Sequence, residues 1–346
     1  MAGDNGRDGE GWATMGEVAA RAGVSPMTVS RVLKEPGRVR PTTRTRVEAA
    51  IAELGYVPDA AAGALASRQS RLVAALVSTL AGSIFASTIA GLGAVLREAG
   101  HELLLGTTEY SSSSEEALLR AVLGRRPGGL VLSAGQHTPA ARRLLERATR
   151  GLGVPVVEIW QLPERPVDMA VGFSNFAAGR AMTAFLADLG YRRIAFVGVL
   201  GPDDFRGLRR HAGYREALAE RGLGEPRAFG SGGSGGSVED GARGLAAVLE
   251  RWPDCDAVFC GSDPLAFGAI AEAARRGLAV PGELAVAGFG DFDYAGEAGL
   301  ALTTVRIPGE RIGRDTARLL LERRAGRLEG PVVVDLGFEL VRRRTA

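Results

Sequence analysis

Apolar positions change their rhythm along this chain near residue 70. Before that point they recur at helical spacing: Val47, Ala50, Ile51 and Leu54 fall at i, i+3, i+4 and i+7, one stripe of a helix that Gly55 can close. Two shorter helices precede it. Thr14 and Glu17 form a T-x-x-E capping box opening "MGEVAARA", and Gly23 supplies a turn. Ser25 caps a second helix with Pro26 in its first turn. Val18, Ala19, Ala22, Val24, Val29 and Val32 can meet the third helix in a small core. The second helix has few large apolar residues, and Met27, Thr28, Ser30 and Arg31 are left facing outward. A helix that buries so little is shaped to touch something.

From Leu72 onward, short apolar runs alternate with amphipathic segments. "LVAALVST", "HELLLGT", "GGLVLS", "VPVVEI", "RIAFVG", "DAVFCG" and "ELAVAGF" read as buried strands, and "FASTIAGLGAVLREAG" and "DPLAFGAIAEAARRGL" as helices between them. This alternation predicts parallel sheets covered by helices on both faces. The length of the region predicts two such sheets, with a ligand cleft where their strand carboxyl ends meet. "GSGGSGGS" at 230–237 reads as a surface loop.

Composition narrows the function classes. A hydrophobic content of 46% with 24% charged residues is that of a globular protein. No apolar run approaches the roughly 20 residues that cross a bilayer, so no membrane partner is expected. "MAGDNGRDGEGWAT" lacks a basic stretch followed by an apolar one, which predicts a disordered tail over 1–13 and not a signal peptide. Cys255 and Cys260 alone, with three His, argue against a disulfide framework or a zinc site and for a reducing, cytoplasmic location. The only lysine is Lys34, so no G-x-x-x-x-G-K-[ST] loop exists; "GLGAVLREAG" follows a strand without a G-x-G-x-x-G, and no G-x-S-x-G elbow at a strand-to-helix turn places a Ser beside a His. His101, His137 and His211 read as surface or supporting residues, and no catalytic group, metal or cofactor is expected.

Charge distribution says more than the net charge of +2. Arg21, Arg31, Lys34, Arg38, Arg40, Arg44 and Arg46 stand against Glu35 alone between 21 and 46, a local +6 suited to phosphates. Helix, Gly turn, helix and supporting helix form the helix-turn-helix layout, whose second helix enters the major groove. The DNA-contact candidates are Thr14, Ser25, Pro26, Met27, Thr28, Ser30 and Arg31.

The run A-x-x-A-G-V-S-x-x-T-V-S-R-V-L, followed by V-x-x-x-T-R-x-R-V-x-x-A-x-x-x-L-G-Y-x-P, resembles the DNA-binding head of the lac/gal repressor family over its full length. That resemblance implies a dimeric transcriptional regulator on a palindromic double-stranded operator. It assigns 14–58 to the helix-turn-helix domain and 59–70 to a hinge helix that enters the minor groove. Leu65 matches the family's wedging leucine, and Ala62 lies one turn earlier. Asp59 replaces the usual Asn, and Gly63 interrupts the hinge.

Residues 71–346 then correspond to a periplasmic-binding-protein-like core of two doubly wound subdomains, 71–172 with 304–331 and 173–303 with 332–346. By family position the effector candidates are Ser78, Phe85, Trp160, Arg210, Ser262, Asp263 and Asp291. Gly290 and Trp160 stand where acidic residues occur in the family's lac branch. Keeping Arg210 without those carboxylates implies an anionic ligand such as a sugar acid. "HTPAARRLLE", "GVPVVEIW", "DMAVGFSNF" and "VVVDLGFEL" resemble the gluconate-operon repressors, although Ser174-Asn175 replaces their Asp-Asn pair. "FELVRRRTA" has no leucine heptads after it, so no tetramerisation helix is expected. Corepression in place of induction stays open. A transport solute-binding protein would share the large domain without residues 14–70, and a sugar-modifying enzyme would need catalytic groups.

Overall fold

The computed structural model describes residues 13–57, 70–80, 84–133, 135–231, 236–297 and 299–346. The chain divides into two compact units, Met1–Ser70 and Arg71–Ala346. The hinge candidates Ala62 and Leu65, with Asp59 and Gly63, lie outside the described residues, as does most of the expected N-terminal tail.

Three helices make the first unit: α1 (Met15–Ala22), α2 (Pro26–Lys34) and α3 (Pro41–Leu54). The expected capping box is formed, with the Glu17 amide donating to Thr14 Oγ1 and the Thr14 amide to the Glu17 carboxylate at 2.6 Å. Gly23 turns the chain at φ 63°, a left-handed conformation that glycine adopts without a Cβ penalty. Ser25 Oγ accepts from the Thr28 amide to start α2. Val18, Val29 and Val47 are wholly buried and gather Ala19, Ala22, Val32, Ala50 and Tyr56 around them. Val24, Ile51 and Leu54 pack at the margin of this core and are only partly covered.

The second unit holds two parallel sheets. The first uses β1 (Leu72–Val77), β2 (Glu102–Thr107), β3 (Gly129–Leu132), β4 (Val156–Ile159), β5 (Met169–Gly172) and β11 (Val332–Asp335), in the order β11-β5-β4-β3-β1-β2. The second uses β6 (Ile194–Val199), β7 (Arg227–Ser231), β8 (Ala257–Cys260) and β9 (Ala285–Ala287), in the order β7-β6-β8-β9. The strand order reverses between β1 and β3 in one sheet and between β6 and β8 in the other. Those reversals open crevices at the strand carboxyl ends, the usual place for a ligand.

Helices α4 (Ala86–Glu98), α5 (Ser112–Leu123), α6 (Pro139–Leu152), α7 (Asn175–Asp188), α8 (Phe205–Glu220), α9 (Val238–Arg251), α10 (Asp263–Arg275) and α11 (Gly309–Arg324) connect the strands. Three helix pairs meet backbone to backbone through reciprocal glycines. A Cβ on Gly213 of α8 would collide with the Phe176 carbonyl of α7, and one on Gly179 of α7 with the Arg210 carbonyl. Gly91 and Gly313 do the same for α4 and α11, and Gly241 and Gly268 for α9 and α10.

One boundary read from the sequence needs correction. β11 pairs with β5, Val332 opposite Met169 and Asp335 opposite Gly172, so residues 332–335 belong to the first sheet. The chain returns toward the second sheet only afterwards, where the Val286 amide donates to the Thr345 carbonyl. The crossing lies after Asp335 because four consecutive ladder positions are satisfied there first. An antiparallel pair of β10 (Thr304–Arg306) and β12 (Glu339–Val341) joins two of the crossing segments.

Candidate functional site

Two places gather the candidates. On α2, Ser25, Pro26, Met27 and Arg31 are exposed and Thr28 and Ser30 half-buried, while Val29 and Val32 anchor the helix from below. Met27 is 71% exposed, a large apolar side chain left in water. Arg21 pairs with Glu53, Arg38 with Glu35 and Arg44 with Glu48. Among the described residues no carboxylate pairs with Arg31, Lys34, Arg40 or Arg46, so these cations remain available to an anionic partner. The Thr14 hydroxyl is engaged in the cap of α1.

The second place is a cavity of about 590 Å³ at the carboxyl ends of both sheets. Of the sequence candidates, Phe85, Trp160, Arg210 and Ser262 line it. Trp160 sits at the tip of β4 with φ 68°, a strained conformation costing of order 1–3 kcal/mol outside glycine. Its amide donates to Val171, its indole Nε1–H to Thr88 Oγ1 at 3.0 Å, and its carbonyl accepts from Asn175 Nδ2 at 3.0 Å. These bonds hold the ring against Phe85, edge to face at 5.0 Å.

Arg210 leaves α8 four residues after Arg206, so both guanidinium groups lie on one helical face. Arg210 Nη1–H donates to Asn175 Oδ1 at 2.7 Å, and the guanidinium lies 4.4 Å from the centre of the Phe289 ring. Its Nε is buried without a hydrogen-bond partner, and so is Ser262 Oγ. Burial pushes the Arg210 pKa down, nearby Asp204 opposes this and Arg206 adds to it, yet a guanidinium stays charged at neutral pH.

Three candidates lie elsewhere. Ser78 Oγ faces a neighbouring polar cavity of about 370 Å³ and accepts from Arg206 Nη2–H at 2.9 Å. Asp263 is wholly buried beneath the larger cavity, where it accepts from Thr304 Oγ1–H at 2.6 Å and the Phe292 amide at 2.8 Å. Burial pushes its pKa up to about 6, against the pull of those hydrogen bonds. Asp291 is held by Arg306 at 2.6 Å and Arg343 at 2.7 Å and is not part of the cavity wall. Two cations outside the cavity, Arg306 and Arg343, pair with its carboxylate.

Sequence reasoning missed Arg206, Tyr110, Phe289, Phe292 and Tyr294, all on the wall. Arg206 reaches from α8 to the ends of β1 and β3, donating to Ser78 Oγ and the Ser133 carbonyl, with Phe85 and Tyr110 against its plane. Its spacing four residues before Arg210 was the available signal. Arg206 and Asp204 border both cavities. His137 is not a surface residue: its side chain is 4% exposed, bonded to Glu115 through Nδ1 at 2.7 Å and near Glu158 through Nε2 at 3.3 Å.

Comparison with known proteins places this architecture. Residues 14–59 match the model described as bacterial regulatory proteins, lacI family, and residues 183–346 a periplasmic binding protein-like domain. The HTH-type transcriptional regulator GntR of Pseudomonas aeruginosa is 40% identical over 335 residues, 97% of this chain and 96% of that protein. A LacI-family transcriptional regulator from Silicibacter pomeroyi superposes with TM-score 0.88 at 36% identity, covering 96% of this chain and 99% of its own. The lac repressor dimer bound to operator and the anti-inducer ONPF gives TM-score 0.79 at 26% identity, covering 96% and 98%.

Proposed function

This chain belongs to the lacI family of bacterial transcriptional regulators, and from that premise we propose a dimeric repressor of sugar-acid utilisation genes, released from its operator by an anionic ligand such as gluconate. Two copies related by a two-fold axis present paired α2 helices to a palindromic site. Met27, Thr28, Ser30 and Arg31 read base edges, while Thr14, Ser25 and Pro26 lie at the backbone. Ala62 and Leu65 serve the minor groove. The lac repressor neighbour, solved as a dimer on operator, supports this arrangement.

The observation that carries the ligand assignment is Arg210: a half-buried arginine on the wall of the larger cavity, anchored by Asn175, whose Nε is buried without a partner. A carboxylate there gains charge-assisted hydrogen bonds in a desolvated place, and ligand hydroxyls satisfy Ser262. The pairing also explains a pocket with more arginines than carboxylates. Arg206 ties the second-sheet helix α8 to the first sheet at Ser78 and Ser133. An anion drawn between Arg206 and Arg210 competes with that tie and shifts the pairing of the subdomains. Linkage then requires DNA to weaken the ligand as much as the ligand weakens DNA.

The test is fluorescence anisotropy of the full chain on DNA from upstream of its own and neighbouring genes, at fixed salt, with gluconate and other sugar acids added. Release by an acid in the wild type, with Arg210→Ala binding operator normally and failing to release, is the expected result. Release of Arg210→Ala at the same acid concentration overturns the assignment. DNA binding that appears only with the acid reverses the sign to corepression.

A further inference from the structure

The larger cavity is built for more than a carboxylate. Its charged groups, Asp204, Arg206 and Arg210, all come from α8 and the residue that caps it. Much of the remaining wall is aromatic: Phe85 and Trp160 from the first sheet, and Phe267, Phe289, Phe292 and Tyr294 from the second. Phe267 and Tyr294 lie edge to face at 6.1 Å yet remain 43% and 38% exposed, and Phe292 continues the group at 5.7 Å from Tyr294. Large rings left in water together mark a surface that a ligand covers.

A single open-chain acid leaves the aromatic part of this wall uncovered. Carrying a hydroxyl on nearly every carbon, it presents no continuous apolar face, so one set of rings stays wet while its hydroxyls compete for few partners. Several polar neighbours are already occupied. Arg206 bonds Ser78 and Ser133, and Asp204 accepts from the Gly207 amide as the cap of α8. A pyranose differs: its axial C–H groups form an apolar face that stacks on an aromatic ring, with the hydroxyls pointing around the rim. A cavity of about 590 Å³ has room for such a ring beside the acid.

Building on the effector reading above, we infer that the ligand is a glycosylated sugar acid, a pyranose ring linked to an acid unit: the carboxylate sits at Arg210 and the ring against Phe267, Phe292 and Tyr294. The acid end satisfies the unpartnered Arg210 Nε, and the ring end covers the exposed aromatics. Phe267 is the residue that separates the two ends, because it is exposed and lies on α10, whereas Arg210 lies on α8.

Isothermal titration of the full chain with three probes tests this: cellobionate (ring plus acid), gluconate (acid alone) and cellobiose (two rings, neutral). Cellobionate is expected to bind at least about tenfold tighter than either of the others and to release operator at the lowest concentration. Phe267→Ser is expected to weaken cellobionate and leave gluconate unchanged, a contrast that general misfolding would not produce. Gluconate binding as tightly as cellobionate overturns the ring requirement while the sugar-acid reading stands. Cellobiose matching cellobionate overturns the acid end, and with it the role given to Arg210. Failure of all three to bind or to release operator overturns both readings.

Discussion

His137 is expected to carry its charge far into the alkaline range. The imidazole lies between Glu115 and Glu158, whose side chains are 3% and 2% exposed. Burial alone lowers its pKa, but hydrogen bonds and attraction from both carboxylates outweigh this and push it up to about 9 from 6.5. Each tenfold change in proton affinity is worth about 1.4 kcal/mol, so the rise to about 9 corresponds to about 3 kcal/mol of folding free energy. The folded state holds this proton more tightly than the unfolded chain does. The contribution is therefore complete below about pH 6.5, falls between 6.5 and 9, and is gone above. Only three histidines are present, which makes a direct assay practical. In proton NMR one imidazole should titrate near 9, whereas His101 and His211 should titrate below 6.5, both lowered first by burial. Urea unfolding followed by tryptophan fluorescence between pH 6 and 9.5 should show His137→Gln losing less stability at the alkaline end than at the acid end. Glu115→Gln, which removes the shorter bond, should bring the midpoint down. Parallel stability profiles for wild type and His137→Gln, with all three imidazoles titrating near 6.5, would refute the reasoning.

Other expectations concern packing and DNA. Gly213→Ala sets a methyl group against the Phe176 carbonyl and should cost about 1–3 kcal/mol in denaturant unfolding. Gly16→Ala, which meets nothing closer than 3.7 Å, should instead stabilise α1 by up to about 1 kcal/mol; equal effects at the two positions would refute the close-approach argument. Thr14→Val removes the cap of α1 and should lower the stability of the first unit by about 0.5–2 kcal/mol, read by circular dichroism melting of the full chain. Arg31→Ala should cost about 1–3 kcal/mol on operator DNA. An equal loss on non-specific DNA would make Arg31 a phosphate contact and not a reader of bases.

The helix-turn-helix was legible because its signals are local. Thr14, Glu17, Gly23 and Ser25 each act within four residues, and the structure forms every one of those caps and turns. The parallel sheets were legible for a similar reason, since buried strands read as unbroken apolar runs. What was not legible depends on distant partners. Arg206 looked like one arginine among several in "FRGLRRH", and its tie to Ser78 spans 128 positions. Asp263 and Asp291 occupy family positions for ligand contact, yet Thr304, Arg306 and Arg343 claim their carboxylates. The β11 boundary failed likewise: "VVVD" suits either sheet, and only the pairing with β5 decides.

The close seat of α8 on α7 connects these observations. Helices separated by ordinary side chains can slide to absorb a pull on one residue. Gly179 and Gly213 remove that cushion by setting backbone against backbone, with the Arg210 carbonyl itself at the contact. Asn175, at the first turn of α7, joins the Trp160 carbonyl to the Arg210 guanidinium and so fixes the strained strand end and the cation together. One turn earlier on the same rigid helix, Arg206 grips the ends of β1 and β3. A displacement of Arg210 therefore has little slack to disappear into. On the proposed function, it is expected to reach Arg206 and from there Ser78 and Ser133 in the first sheet, because interiors packed this closely transmit strain instead of deforming smoothly.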